Sequence, residues 1–151
     1  KEQFDIVFAS YGVILWLPDL NEWASMIAYF LKPKGFFYMV EFHQFMLIFD
    51  DKFERLEYSY FNTEVIESDM EGSHAAPEPG VSKKEYTWNH SFSEILNSLI
   101  QNGLRIEFFN EHMNSPFDFL RGVCVQEKGS YCIPSLKNKI PLLFSVKASK
   151  Q

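Results

Sequence analysis

Two side chains able to move protons stand two positions apart, Glu41 and His43, at the end of an apolar run. On a strand that spacing puts both on one face and Phe42 on the other. A carboxylate beside an imidazole can deprotonate or orient a nucleophile. It can equally form an ion pair or anchor a loop, and the residues alone weigh the two roles evenly. A second group is Trp88, Asn89 and His90, where an aromatic, an amide and an imidazole in a row could line a substrate pocket. The plainer reading has Trp88 alternating with Tyr86 as on a strand, and Asn89 and His90 capping the helix that follows. His74 falls in a Gly- and Pro-rich stretch and is expected in a lid. Glu111 and His112 end another apolar run and are expected in solvent.

Metal chemistry is not expected. His43, His74, His90 and His112 share no ligand spacing, and Cys124 and Cys132 make neither a zinc site nor a disulfide framework. No elbow motif supports a nucleophilic serine.

These groups need elements to hold them. Phe4 to Ser10 (FDIVFAS) is a nearly continuous apolar run, the pattern of a strand buried on both faces of a parallel sheet. Tyr11 to Pro18 reads as a loop in which Gly12 can take unusual backbone angles and Trp16 anchors the core under the next helix. That helix has Asp19 or Asn21 as its cap. Its apolar face is Leu20, Trp23, Ala24, Ile27, Ala28 and Leu31, and Pro33 and Gly35 stop it. Phe36 to Phe42 (FFYMVEF) is a second strand, which completes a βαβ unit with a right-handed crossover.

Residues 44–90 are expected to be an insertion that covers something, with helical turns over Gln44 to Phe53, strand-forming composition over Arg55 to Ile66, and a loop over Glu71 to Val81. Ser91 and Glu94 form a capping box, and Phe92, Ile95, Leu96, Leu99 and Ile100 give the next helix its apolar face. Gly103 ends it. Leu104 to His112 is a third strand, Asn114 to Lys139 is irregular, and Pro141 to Ala148 is the last strand. No helix separates the last two strands, so they are expected to be antiparallel neighbours.

The chain has 151 residues, enough for one domain with its own core. Its net charge of −6 argues against nucleic-acid or anionic-membrane partners, which need a basic face. No apolar run approaches the ~20 residues of a membrane span, and no signal-peptide pattern is present, so a cytoplasmic location is expected. Aromatic residues reach 17%, with 16 Phe, an excess assigned mostly to the core. The chain opens on Lys1 and enters a strand almost at once, which suggests a trimmed tag or a piece of a longer protein.

FDIVFASYGVILWLPDL, LKPKGFFYMVEFH, EYTWNHSFSEILNSLIQNGLRIEFFNEH and PLLFSVKA, in that order, resemble successive segments of the carboxyl-terminal half of a class I S-adenosylmethionine-dependent methyltransferase. The resemblance covers nearly the whole chain and is weakest over residues 44–70. It implies an α/β fold, a partial Rossmann-like sheet holding the family's fourth to seventh strands, with the seventh inserted antiparallel between the fifth and sixth. The family's Gly-rich turn after the first strand is absent, because no two glycines here lie two or three apart. About 100 residues carrying three strands and their helices are therefore expected to be missing.

Ligands in open α/β sheets sit beyond the carboxyl ends of strands at the switch point. The resemblance places Ser10, Tyr11 and Gly12 there, bordering S-adenosylmethionine. Glu41, His43, Tyr60, Trp88 and His90 would then face a small-molecule methyl acceptor, with Tyr58 and Phe61 as further apolar wall. Methyl transfer from a sulfonium needs in-line positioning and exclusion of water, and a base only where the acceptor carries a proton. The fragment alone is expected to be inactive. It is also expected to self-associate through Phe4–Ser10, an exposed apolar edge once the first strand is missing. Two alternatives stay open: a non-enzymatic ligand-binding or interaction domain, and half of a nicotinamide-dependent enzyme, which the terminal antiparallel strand disfavours.

Overall fold

Asp19 decides where the first helix begins. In the computed structural model its carboxylate accepts the amide N–H groups of Asn21 and Glu22 at 2.8 and 2.9 Å, so Asp19 and not Asn21 is the cap. The structure describes residues 1–50, 52–61, 64–71, 82–120, 123–137 and 139–151. The expected lid residue His74, with the glycines and prolines around it, lies outside them.

The first strand, β1, spans Phe4–Ser10, and a 3-10 turn at Ile14–Trp16 leads to α1, Leu20–Phe30. Strand β2 runs Leu31–Phe42, five residues earlier than its apolar run suggests. Pro33 cannot donate to a ladder, so the parallel pairing with β1 skips from Phe4↔Leu31 to Ile6↔Phe36 and the intervening residues loop out. Gly35 closes that loop, and a Cβ there would meet the backbone oxygens of Asp5 and Lys32 at 2.9 Å.

After a 3-10 turn at Met46–Ile48, strands β3 (Ile66–Glu71) and β4 (Ser82–Thr87) form an antiparallel hairpin. Residues 55–61, 64 and 65 form no strand, and Leu56 makes only an isolated bridge to Phe49. Helix α2 (Phe92–Gln101) and β5 (Leu104–His112) follow. The stretch expected to be irregular holds a small hairpin, β6 (Val125–Glu127) with β7 (Ser130–Cys132). The last strand, β8, is Leu143–Lys150.

The main sheet has the order β1-β2-β8-β5. β1 and β2 are parallel, and β8 lies between β2 and β5, antiparallel to both. Ser91 Oγ accepts the Glu94 amide at 3.2 Å, but the Glu94 carboxylate turns to His90, so only half of the expected capping box forms. Gly103 leaves α2 at φ +78°, the left-handed position only glycine takes without strain.

Both helices lie on one face of this sheet. Phe37 and Met39 of β2, Phe144, Val146 and Ala148 of β8, and Ile95 and Leu99 of α2 are fully buried there with Leu20 and Ala24 of α1. The other face is covered near Phe42 and Leu143 by a second apolar cluster with Met46, Ile133 and Leu142, and is open along β1. Phe4, Ile6 and Phe8 are 50, 54 and 59% exposed, which corrects the expectation that β1 is buried on both sides. Phe8 stacks on Tyr38, whose ring meets Phe108 edge-on, so an aromatic stripe crosses that face. Trp16 is another correction. It is half-exposed, and its neighbour Ile14 is the buried anchor of the loop.

Candidate functional site

The chain turns back at the carboxyl end of β1 through two consecutive left-handed residues. Tyr11 has φ +35° and Gly12 φ +79°. For Tyr this conformation is strained, and such strain gathers where function over-determines the backbone. What over-determines it here is Glu41. Its Oε1 accepts the amides of Gly12 at 2.5 Å and Phe42 at 2.7 Å, and its Oε2 those of Val13 at 2.7 Å and Ile14 at 3.4 Å. Consecutive N–H groups in a left-handed turn form an anion-binding nest, and the carboxylate of β2 fills this one. Glu41 is 1% exposed. It holds the loop and has no lone pair free for a passing proton.

Glu41 and His43 share a face, as strand alternation requires, but they do not pair. His43 Nε2 lies 2.8 Å from Oε1 of Glu111 on β5, and its Nδ1 accepts the Phe45 amide at 3.2 Å. That second bond fixes the tautomer, with the proton on Nε2 pointing at Glu111. The ring is fully buried, with Phe92 edge-on at 4.7 Å and Phe45 stacked at 5.4 Å. Burial pushes its pKa down, and the Glu111 hydrogen bond and charge pull the other way. Glu111 was expected in solvent. Its side chain is half-exposed but acts as the partner of His43. His112 likewise bonds Ser145 Oγ at 2.9 Å.

The second group is dispersed among structural bonds. The Trp88 amide donates to the Leu15 carbonyl at 2.9 Å, just past the end of β4. Asn89 caps nothing, and its Nδ2 reaches the Leu47 carbonyl at 3.1 Å. His90 is 3% exposed, with Nδ1 2.9 Å from Glu94 Oε1 and Nε2 2.9 Å from the Leu17 carbonyl. Tyr60 stacks on Phe45 at 5.2 Å, and its hydroxyl accepts the Phe92 amide at 3.0 Å, while Phe61 is 77% exposed.

Sequence reasoning missed one wall of the site. Phe117 meets the Tyr11 ring edge-on at 4.7 Å, and Phe119 packs on Phe42 at 5.0 Å. Both come from the stretch between β5 and β8 that shows no periodicity, and the clustering of Phe117, Phe119 and Leu120 was the only signal. Desolvation and the nearby Tyr38 phenol raise the Tyr11 pKa, so Tyr11 offers a neutral hydroxyl.

The fold recurs in solved structures. A candidate S-adenosylmethionine-dependent methyltransferase from Listeria monocytogenes superposes with a TM-score of 0.60 over 99% of this chain, at 13% identity. This is the fold of a class I methyltransferase. An S-adenosylmethionine-dependent methyltransferase from Mesorhizobium loti (TM-score 0.54, 15% identity, 97% of this chain) and one from Methanosarcina mazei (0.52, 15%, 99%) share the methyltransferase fold. The chain spans 62, 62 and 60% of the lengths of these three proteins, less than two thirds in each case. No family model and no curated protein matches the sequence. Among the described residues no helix is long and apolar enough to cross a membrane, and no cluster of His, Cys, Asp and Glu has the makings of a metal site.

Proposed function

We propose that this chain is the carboxyl-terminal part of an S-adenosylmethionine-dependent methyltransferase acting on a small molecule, with Ser10, Tyr11 and Gly12 bordering the cofactor. The observation that carries the reading is the strained Tyr11–Gly12 turn, at the carboxyl end of the parallel pair β1 and β2 in a sheet of methyltransferase fold. Open α/β sheets take ligands at such strand ends. The residues fit the cofactor in part. The ring and neutral hydroxyl of Tyr11 and the backbone at Gly12 suit an adenosyl or methionyl group, whereas Glu41 takes the amides of Gly12, Val13 and Ile14.

The cofactor's sulfonium would supply an electrophilic methyl carbon. This chain's part would be to position and to exclude water, for which the rings of Tyr11, Phe42, Phe117 and Phe119 are suited. Glu41 and His43 are poor candidates for a base, since backbone amides and Glu111 already engage them. An acceptor nitrogen or sulfur whose lone pair is free at neutral pH would need none. Tyr60 and Trp88 remain candidate acceptor contacts, and residues 44–90 the cover on that side. His90, buried and bonded at both nitrogens, does not suit direct contact.

Isothermal calorimetry tests the reading. The intact protein is expected to bind S-adenosylmethionine and to lose at least tenfold in affinity on Tyr11→Ala. These 151 residues alone are expected to bind weakly at best and to show no turnover. An intact protein that does not bind the cofactor would sink the proposal. The open face favours a second, compatible reading as an interaction domain. In this chain alone the β1 edge would pair with its copy in a second molecule, burying Phe4, Ile6 and Phe8.

A further inference from the structure

His90 is bonded in a way a neutral imidazole cannot satisfy. Both ring nitrogens lie 2.9 Å from an oxygen, the Glu94 carboxylate on one side and the Leu17 carbonyl on the other. A backbone carbonyl and a carboxylate only accept, so both contacts are favourable only when the ring carries two N–H groups. A neutral ring would point one lone pair at an oxygen. The ring is 3% exposed, so water cannot replace a lost partner cheaply.

The two oxygens belong to different parts of the molecule. Glu94 sits in the first turn of α2, which packs on α1 and the sheet. Leu17 ends the loop that starts at Tyr11 and Gly12. Beside it the Trp88 amide bonds Leu15, so His90 and Trp88 brace the far end of the loop while Glu41 fastens the near end. The titratable group facing the ring from α2 is Glu94. From the loop side Asp19 lines the same polar cleft as Glu94, and its carboxylate is engaged by the α1 amides.

We infer that His90 is a positioning residue, a charged latch that ties the Tyr11–Leu17 loop to α2 in the doubly protonated state and loosens when the ring loses one proton. The inference rests on the reading of this loop as the cofactor border for its functional consequence, but not for its geometry. The loop would be set for the cofactor while both ring nitrogens carry hydrogen and slacker when one does not.

Nuclear magnetic resonance on the intact protein, followed over a pH series, tests this. The His90 nitrogens are expected both to carry hydrogen at the acid end and only one of them at the basic end. Protection of the Trp88 amide, corrected for intrinsic exchange, is expected to fall about tenfold across the range, the worth of one charge-assisted hydrogen bond. Glu94→Gln is the diagnostic variant. Its side-chain N–H can donate to Nδ1 while Nε2–H still meets Leu17, so protection should become independent of pH. A role in packing alone would give no pH profile and no such rescue. Flat protection in the parent protein, or an unchanged profile in Glu94→Gln, overturns the latch. A loop that responds as expected in a protein that binds no S-adenosylmethionine would overturn the cofactor reading alone.

Discussion

Replacing Glu41 with Gln exchanges one carboxylate oxygen for an NH2 group while keeping shape and volume. Two of the four amides that now point at the carboxylate would then face a donor. Gln can serve either the pair Gly12 and Phe42 or the pair Val13 and Ile14. The second pair is the smaller loss, because its Ile14 contact is already long at 3.4 Å. A buried donor left without a partner costs about 1–3 kcal/mol, so the variant should lose roughly 2–4 kcal/mol. For a chain of this size that is a fall in Tm on the order of 10 °C. Urea unfolding followed by tryptophan fluorescence reads the loss directly, since Trp16 lies on the affected loop. In the same variant the amides of Gly12, Val13 and Ile14 should lose exchange protection. A general base predicts the reverse, with catalysis abolished and stability kept. A loss below about 1 kcal/mol with loop protection unchanged would refute the anchoring argument.

Burial holds the His43 pKa below its ordinary value, so between the two values the unfolded chain binds more protons than the folded one. Stability should therefore be complete above about pH 6.5 and fall as pH drops towards the folded value. His43→Gln should remove that part of the slope in urea titrations, and parallel curves for the two proteins would refute the assignment. Ile6→Lys puts a charge on the open edge strand and should convert a self-associating chain to a monomer in sedimentation velocity; a monomeric parent would end the pairing argument. Gly12→Ala strains a φ of +79° and brings a methyl to 3.5 Å from Phe42. It should cost about 1–2 kcal/mol in the same urea assay, and a neutral result would show that the loop can re-form without its left-handed turn.

Local features were legible because they are written locally. Asp19 and Ser91 cap through bonds of two or three residues' reach, and Gly103 stops α2 in the way its chemistry dictates. The antiparallel placement of β8 followed from the lack of a helix after β5. What was hidden depends on partners far along the chain. Nothing in the run FFYMVEF says that Glu41 will meet amides 27–29 positions earlier, or that His43 will meet Glu111 across 68 residues. The same holds for His90 and Leu17, 73 apart. The apolar run of β1 does not say which of its faces is covered, and Phe4, Ile6 and Phe8 are half-exposed. Trp16 reads as a core anchor from its residue type, whereas the 3-10 turn buries Ile14 and leaves Trp16 half-exposed.

The sheet's second-to-last place in space belongs to the last strand in sequence. Every ladder bond of β5 in the main sheet is to β8, and so is the whole of β2's second edge. A growing chain therefore holds α1, β2, α2 and β5 without the piece that joins them, and the two halves of the sheet meet only after residue 150 has been made. Closing of this sheet should be slow for its size, since its decisive contacts are non-local. Losing β8 would cost the sheet its keystone, because it is the partner that joins β5 to β2. Substitutions in β8 should therefore act on yield before they act on chemistry.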